Sequence, residues 1–296
     1  MQRVILTAAL AAALALVVIW WQGGLDGIAR WATEGQREFQ NAMAGALRSL
    51  RAGEPGALAT LMGITFAYGF FHAVGPGHGK ILIGGYGAGS GVRARRLAGI
   101  ALAASLAQAT TAVVLVYAGV LVLGWSRERL VGAGDDILTP ASYAAIGLVG
   151  VYLALRGLRN VVRQWRPTAQ AHGAGCGCEG HSHGPSAAQV SKLRGWRDAT
   201  LLVGSIAIRP CTGALFLLIL TWRMGIETAG IAGAYAMGLG TASVTVAVAV
   251  LAVSARDGAL VWTGPFARAR AVIPALELVA GGLVALVSWQ ILMQWL

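Results

Sequence analysis

The sequence predicts an all-α polytopic membrane protein, with an N-terminal anchor helix ahead of a six-helix core of two inverted three-helix halves. Three observations predict it. Charged residues are only 12% of the 296 residues, 23 Lys+Arg and 12 Asp+Glu, against roughly 25% in an ordinary soluble domain. Hydrophobic residues make up 56% and mean hydropathy is +0.66, which excludes a soluble enzyme and a disordered chain. The apolar residues are also gathered into runs close to the ~20 residues a helix needs to cross a bilayer.

Seven such runs can be read, at residues 4 to 21, 57 to 75, 97 to 124, 137 to 155, 199 to 222, 228 to 253 and 272 to 293, each long enough to span with some tilt. Met1-Gln2-Arg3 gives the first a basic start, but its run exceeds a usual signal core and no Ala-x-Ala site follows Trp20-Trp21-Gln22. Residues 1–22 are therefore expected to be an uncleaved transmembrane anchor, with a signal sequence as the alternative. Residues 23–56 follow as an outer amphipathic segment: Leu25, Ile28, Trp31, Phe39, Met43, Leu47 and Leu50 recur at spacings near three and four, with charges between them. It serves either as a packing helix or to recruit a partner. Residues 57–155 form the first half of the core, 156–198 a cytoplasmic loop rich in Cys and His, and 199–296 the second half.

Orientation comes from the basic residues. With the N-terminus inside, Arg93, Arg95 and Arg96, seven Lys/Arg from Arg156 to Arg197, and Arg256, Arg268 and Arg270 fall on the cytoplasmic side, and the C-terminus lies outside. The formal net charge of +11 is thus spread between apolar runs as a topology signal, not as a patch tracking phosphates, so no nucleic acid partner is expected. A lipid bilayer is. Three cysteines, two of them one residue apart beside histidines, do not make a disulfide scaffold.

Polar chemistry enters the membrane at two places. The second run leads into Phe71-His72-Ala73-Val74-Gly75-Pro76-Gly77-His78-Gly79-Lys80, and ionisable groups at such a position are functional candidates by default. On an unbroken helix, side chains six residues apart point about 120° away from each other, so His72 and His78 could not readily chelate together. Pro76 removes an amide hydrogen, and its ring clashes with the carbonyl of His72, so a break or kink is expected between Gly75 and Gly77. Broken helices of this kind line polar cavities in transporters. Two neutral imidazoles converging there suit Ni²⁺, Co²⁺, Zn²⁺ or Cu²⁺ better than Mg²⁺ or Ca²⁺; the alternative is that each histidine only hydrogen-bonds across helices. Lys80 is a supporting residue or a snorkelling one. The string is not a phosphate loop, because Val74 and Ile81 stand where Gly and Ser/Thr are required.

The fifth run carries Arg209-Pro210-Cys211 as a second proline break. Arg209 needs an acceptor or a water-filled cavity, and Cys211 is open to three roles: soft ligand, inert thiol or redox group. Under the orientation above, the two breaks open corresponding spans of inverted halves, which points to a central site. Ser105, Gln108, Thr110 and Thr111, and Met237, Thr241, Ser243 and Thr245, are expected to pack helices. Glu277, near the start of the last run, is expected at the interface or as Arg209's partner. In the loop, His172, Cys176, Cys178, His181 and His183 sit in a glycine-rich tract that matches no structural zinc finger and reads as a labile metal-binding segment.

His72 to Lys80, Arg209-Pro210-Cys211-Thr212-Gly213-Ala214 and Ala236-Met237-Gly238-Leu239-Gly240-Thr241 together resemble the signatures of the NicO family of nickel/cobalt transporters, from about residue 57 to the end. The resemblance implies movement of Ni²⁺ or Co²⁺, with Zn²⁺ a further candidate, and no permanently bound cofactor. It carries over His72, His78 and Cys211 as the metal pathway, supported by Lys80, Arg209, Gly75, Pro76, Gly77 and Pro210. The expected direction is efflux from the cytoplasm, with uptake as the alternative and a cytoplasmic or periplasmic metal-handling protein as a partner. The loop is poorer in histidine and richer in cysteine than in typical efflux members, and the His-x4-Asp-His motif of nickel uptake permeases is absent. An imidazole titrating near neutrality could also couple the flux to protons. A membrane thiol-disulfide carrier using Cys211 is the alternative from another class, and needs a second thiol within the membrane that the first break lacks. No His-Glu-x-x-His motif marks a metalloprotease.

Overall fold

The computed structural model describes residues 24–75, 78–89, 92–165, 187–262 and 267–293, all of whose regular structure is helical. The run at 4 to 21 and the loop cysteines and histidines lie outside the described residues. In chain order the helices are α1 (Gly24–Arg51), α2 (Ala57–Val74), α3 (His78–Gly89), α4 (Ala94–Tyr117), α5 (Arg127–Gly132), α6 (Thr139–Trp165), α7 (Ala187–Ala207), α8 (Thr212–Met224), α9 (Glu227–Trp262) and α10 (Ala267–Leu292). Four stretches are long and apolar enough to cross a membrane: Ala57–Val74, Ala94–Val122, Asp136–Val162 and Glu227–Gly258. A fifth is added if α7 and α8, bent by 60° at their break, count as one span. These match the runs expected from 57 through 253. The last expected run is represented by a shorter apolar helix, Glu277–Leu292.

The chain divides into two compact units. The first holds residues up to Gly77 together with Phe216–Val244. Here α1 lies along α2, and its Ala32, Met43, Ala46 and Leu47 are buried, as are Leu61 and Tyr68 of α2. The Phe71 ring packs against Trp31 at 4.8 Å and Phe39 at 5.4 Å between centroids, and Gly35 leaves room for it, since a Cβ there would run into that ring. The sharp turn between α1 and α2 places Gly53 and Gly56 at φ of 74° and 79°, a conformation that only glycine adopts without strain.

In the same unit α2 and α9 touch backbone to backbone. A Cβ on Gly69 would strike the Met237 carbonyl oxygen, and one on Gly240 the Phe66 carbonyl oxygen. Small residues permit this approach, which in a membrane supplies the dispersion contacts that water would otherwise drive. Thr241 Oγ1 adds a hydrogen bond to the Gly69 carbonyl oxygen at 3.2 Å. The Met-Gly-Leu-Gly-Thr signature is therefore a crossing point of helices, as its small and hydroxylated residues predict.

The second unit holds His78–Leu215 and Thr245–Leu296. Its core joins Leu82, Ile83 and Tyr86 of α3, Leu97, Ala101 and Ala104 of α4, Ile146 and Val149 of α6, Leu202 of α7 and Val284 of α10. Helices α6 and α10 approach at Gly150 and Gly281, where an added Cβ would meet the partner backbone. Arg256 is buried, and its Nη1 donates to the carbonyl oxygens of Gly87 and Val92, each at 3.0 Å. It thereby holds the C-terminal end of α3, where helix carbonyls lack intrahelical partners.

Candidate functional site

Each proline interrupts its helix at the expected place. Helix α2 ends at Val74, and the Gly75 amide still donates to the Phe71 carbonyl oxygen at 3.2 Å. Gly75 itself is extended, φ −56° and ψ 164°, because the residue before a proline is driven out of the helical region. Helix α3 starts again at His78. Pro76, Gly77 and the His78 side chain lie outside the described residues.

His72 occupies the last turn of α2 and is half-buried. Its ring lies parallel to that of Tyr68 one turn earlier, 6.1 Å between centroids and 6° between planes. Tyr68 is 1% exposed, and its hydroxyl accepts a hydrogen bond from Gln36 Nε2 of α1 at 3.1 Å. The imidazole is thus backed by a phenol ring that α1 fixes in turn. Lys80, in the first turn of α3, is half-buried.

The second break joins α7 to α8 through Ile208, Arg209, Pro210 and Cys211. Pro210 is buried and Cys211 half-buried. The Cys211 carbonyl starts α8 by accepting from the amides of Ala214 and Leu215, at 3.0 and 3.1 Å. The interruption exposes carbonyls, and side chains from neighbouring helices meet them. Gln108 Nε2 of α4 donates to the Arg209 carbonyl oxygen at 2.8 Å, and Ser142 Oγ of α6 to that of Ser205 at 3.0 Å. Such replacement bonds are what make irregular backbone tolerable at membrane depth. The Arg209 guanidinium donates from Nη1 to Tyr143 Oη at 3.0 Å and stands 5.3 Å from the centroid of the same ring, an arrangement that stabilises a cation through the ring face.

Glu277 is neither at an exposed interface nor paired with Arg209. It is bound by Arg156 Nε and Nη2, while Arg156 Nη1 reaches Asp198 Oδ2 at 2.6 Å. Asp198 also accepts from Tyr86 at 3.1 Å and Tyr152 at 3.4 Å. Three helices of the second unit thereby contribute a buried set of one cation and two carboxylates. The sequence does carry a signal for it: Arg156 and Asp198 border apolar runs and Glu277 lies within one, although nothing local says that the three meet.

Among the described residues, no group of three or more His, Cys, Asp or Glu side chains is placed to hold a metal ion. His72 and Cys211 are described in separate units, and the five loop residues His172, Cys176, Cys178, His181 and His183 lie outside the described residues.

Two comparisons bear on this arrangement. The NicO family model, described as a high-affinity nickel-transport protein, matches residues 58–172, which include the first break. A protein of Haemophilus influenzae, provisionally named a nickel/cobalt efflux system, is 28% identical over 268 residues, covering 84% of this chain and 81% of its own length. No solved structure matches the chain.

Proposed function

From the NicO match over residues 58–172, which marks a transporter and not an enzyme, we propose that this chain moves Ni²⁺ or Co²⁺ across a bacterial inner membrane, outward from the cytoplasm. The observation that carries the proposal is the His-Ala-Val-Gly-Pro-Gly-His string inside the matched segment, set where α2 stops at Val74 and α3 restarts at His78. Imidazole nitrogen is a favoured ligand of both metals, and exchange is easier at a helix break, where backbone carbonyls and water can replace one another around the ion.

In this proposal the ion passes His72 and His78, with Cys211 as a softer ligand on the same route. Arg209 and Lys80 support this route beside Gly75, Pro76, Gly77 and Pro210. The loop at 156–198 collects metal on the cytoplasmic side through His172, Cys176, Cys178, His181 and His183. The two broken helices open inverted halves, with the N-terminus inside and the C-terminus outside. Outward transport is supported by the name of the Haemophilus influenzae relative.

The test is Ni²⁺ and Co²⁺ accumulation in metal-sensitive cells expressing the wild type, His72→Ala, His78→Ala or a chain lacking residues 172–184. The wild type should lower cellular metal, and either histidine change should abolish the effect. Higher metal with the wild type would reverse the direction at the same site. No dependence on either histidine would remove the pathway.

A further inference from the structure

We infer that Arg156, Asp198 and Glu277 form a proton-binding site, with Glu277 as the acceptor, and that its occupancy couples a proton gradient to metal movement. The inference rests on the transport function proposed above and names the ion that drives it.

The set is built by α6, α7 and α10, with Tyr86 from α3 closing one side. The Asp198 and Glu277 side chains are only 7% and 6% exposed, against 24% for Arg156. With both acids ionised, one guanidinium faces two carboxylates, and the set holds one uncompensated negative charge. Among the described side chains no further cation pairs with either acid. Arg159 and Arg197, on α6 and α7, are exposed, and Arg256 of α9 is bonded to Asp257 and to two carbonyls. Tyr86 and Tyr152 are neutral donors. A net charge held away from water is costly, and one proton removes it.

The hydrogen bonds indicate which acid takes the proton. Asp198 receives three donors, from Arg156, Tyr86 and Tyr152, all of which favour its ionised form. Glu277 also receives three N–H donors, Nε and Nη2 of Arg156 and the Asn160 amide, and the last of these is the one that can reverse. An amide can turn its oxygen toward a protonated carboxyl as readily as its nitrogen toward an ionised one, so Glu277 can change state without losing a partner. The step is a simple one: a proton from water binds a Glu277 carboxylate oxygen, the set passes from −1 to neutral, and no electrons move. Ionisable groups lodged in apolar spans commonly serve as such relays.

The test uses the purified full chain with two readouts. Infrared difference spectra on acidification should show a protonated-carboxyl band in the wild type that is missing in Glu277→Gln, whose amide mimics the neutral acid and keeps the fold. In proteoliposomes, an imposed pH gradient should accelerate Ni²⁺ movement about tenfold in the wild type and leave Glu277→Gln without that acceleration. A band that persists in Glu277→Gln, or an equal acceleration in both proteins, would overturn the inference. If wild-type vesicles move no metal under any gradient, the transport function falls and the coupling with it, while the carboxyl band still decides whether the site takes a proton.

Discussion

The two broken helices solve one backbone problem in different ways. At the second break, Gln108 and Ser142 meet exposed carbonyls and Tyr143 holds the Arg209 cation, so the interruption is braced by polar side chains from α4 and α6. At the first, the described bracing is aromatic: His72 lies on Tyr68, Tyr68 is tied to Gln36, and Phe71 is wedged between Trp31 and Phe39. A polar brace occupies the lone pairs of the backbone it supports. An aromatic one orients the imidazole through its ring face. Under the function proposed above, the first break is the one expected to depend most on its imidazole, and the second the one expected to depend most on its polar bracing.

Substitutions can break or sharpen that contrast. The largest effect is expected for His72→Ala, which should lower Ni²⁺ flux by at least about tenfold with little change in thermal stability; a variant that transports normally would move the role elsewhere. Next comes Gln108→Leu, which leaves the Arg209 carbonyl without its side-chain donor and should lower stability by about 1–3 kcal/mol, read as a lower unfolding midpoint in detergent. If flux instead collapses while the midpoint holds, the second break is a working site. Cys211→Ser keeps the size of the side chain and the backbone of the α8 start, so flux should fall by less than about threefold in the metal accumulation assay. Complete loss would make the thiol an essential ligand. The smallest effect is expected for Tyr68→Phe, which keeps the ring beside His72 and forfeits the Gln36 hydrogen bond, about 1 kcal/mol by thermal unfolding. A large loss of flux there would mean that the phenol hydroxyl itself takes part.

Features that rest on local covalent chemistry were the legible ones. Pro76 and Pro210 interrupt a helix wherever it happens to pack, and long apolar runs announce spans without any knowledge of neighbours. The glycines and threonine at 236–241 also declared a helix crossing, although not that Gly69 would be its counterpart, 171 positions from Gly240 by numbering. The ion set was not legible for a related reason. Arg156 finds Asp198 at a separation of 42 residues and Glu277 at 121, and the pairing depends on how α6, α7 and α10 pack. Glu277 read as an interfacial acid because it stands near the start of an apolar run, and nothing local pointed to Arg156, 121 residues away. Arg209 read as needing an acceptor and finds one in the Tyr143 hydroxyl, although nothing near it in sequence named which residue that would be.

Arg256 has a consequence for any experiment on which way the chain is threaded. In the orientation proposed above its charge counts toward cytoplasmic retention, yet the same guanidinium ties the end of α3 to the stretch that leads into α4. Neutralising it to flip the topology would also loosen that corner, and a reporter fused downstream would register misfolding as inversion. Arg95 and Arg96, exposed at the start of α4, carry the same sign without the mechanical duty, and they are the positions at which insertion can be reversed and interpreted.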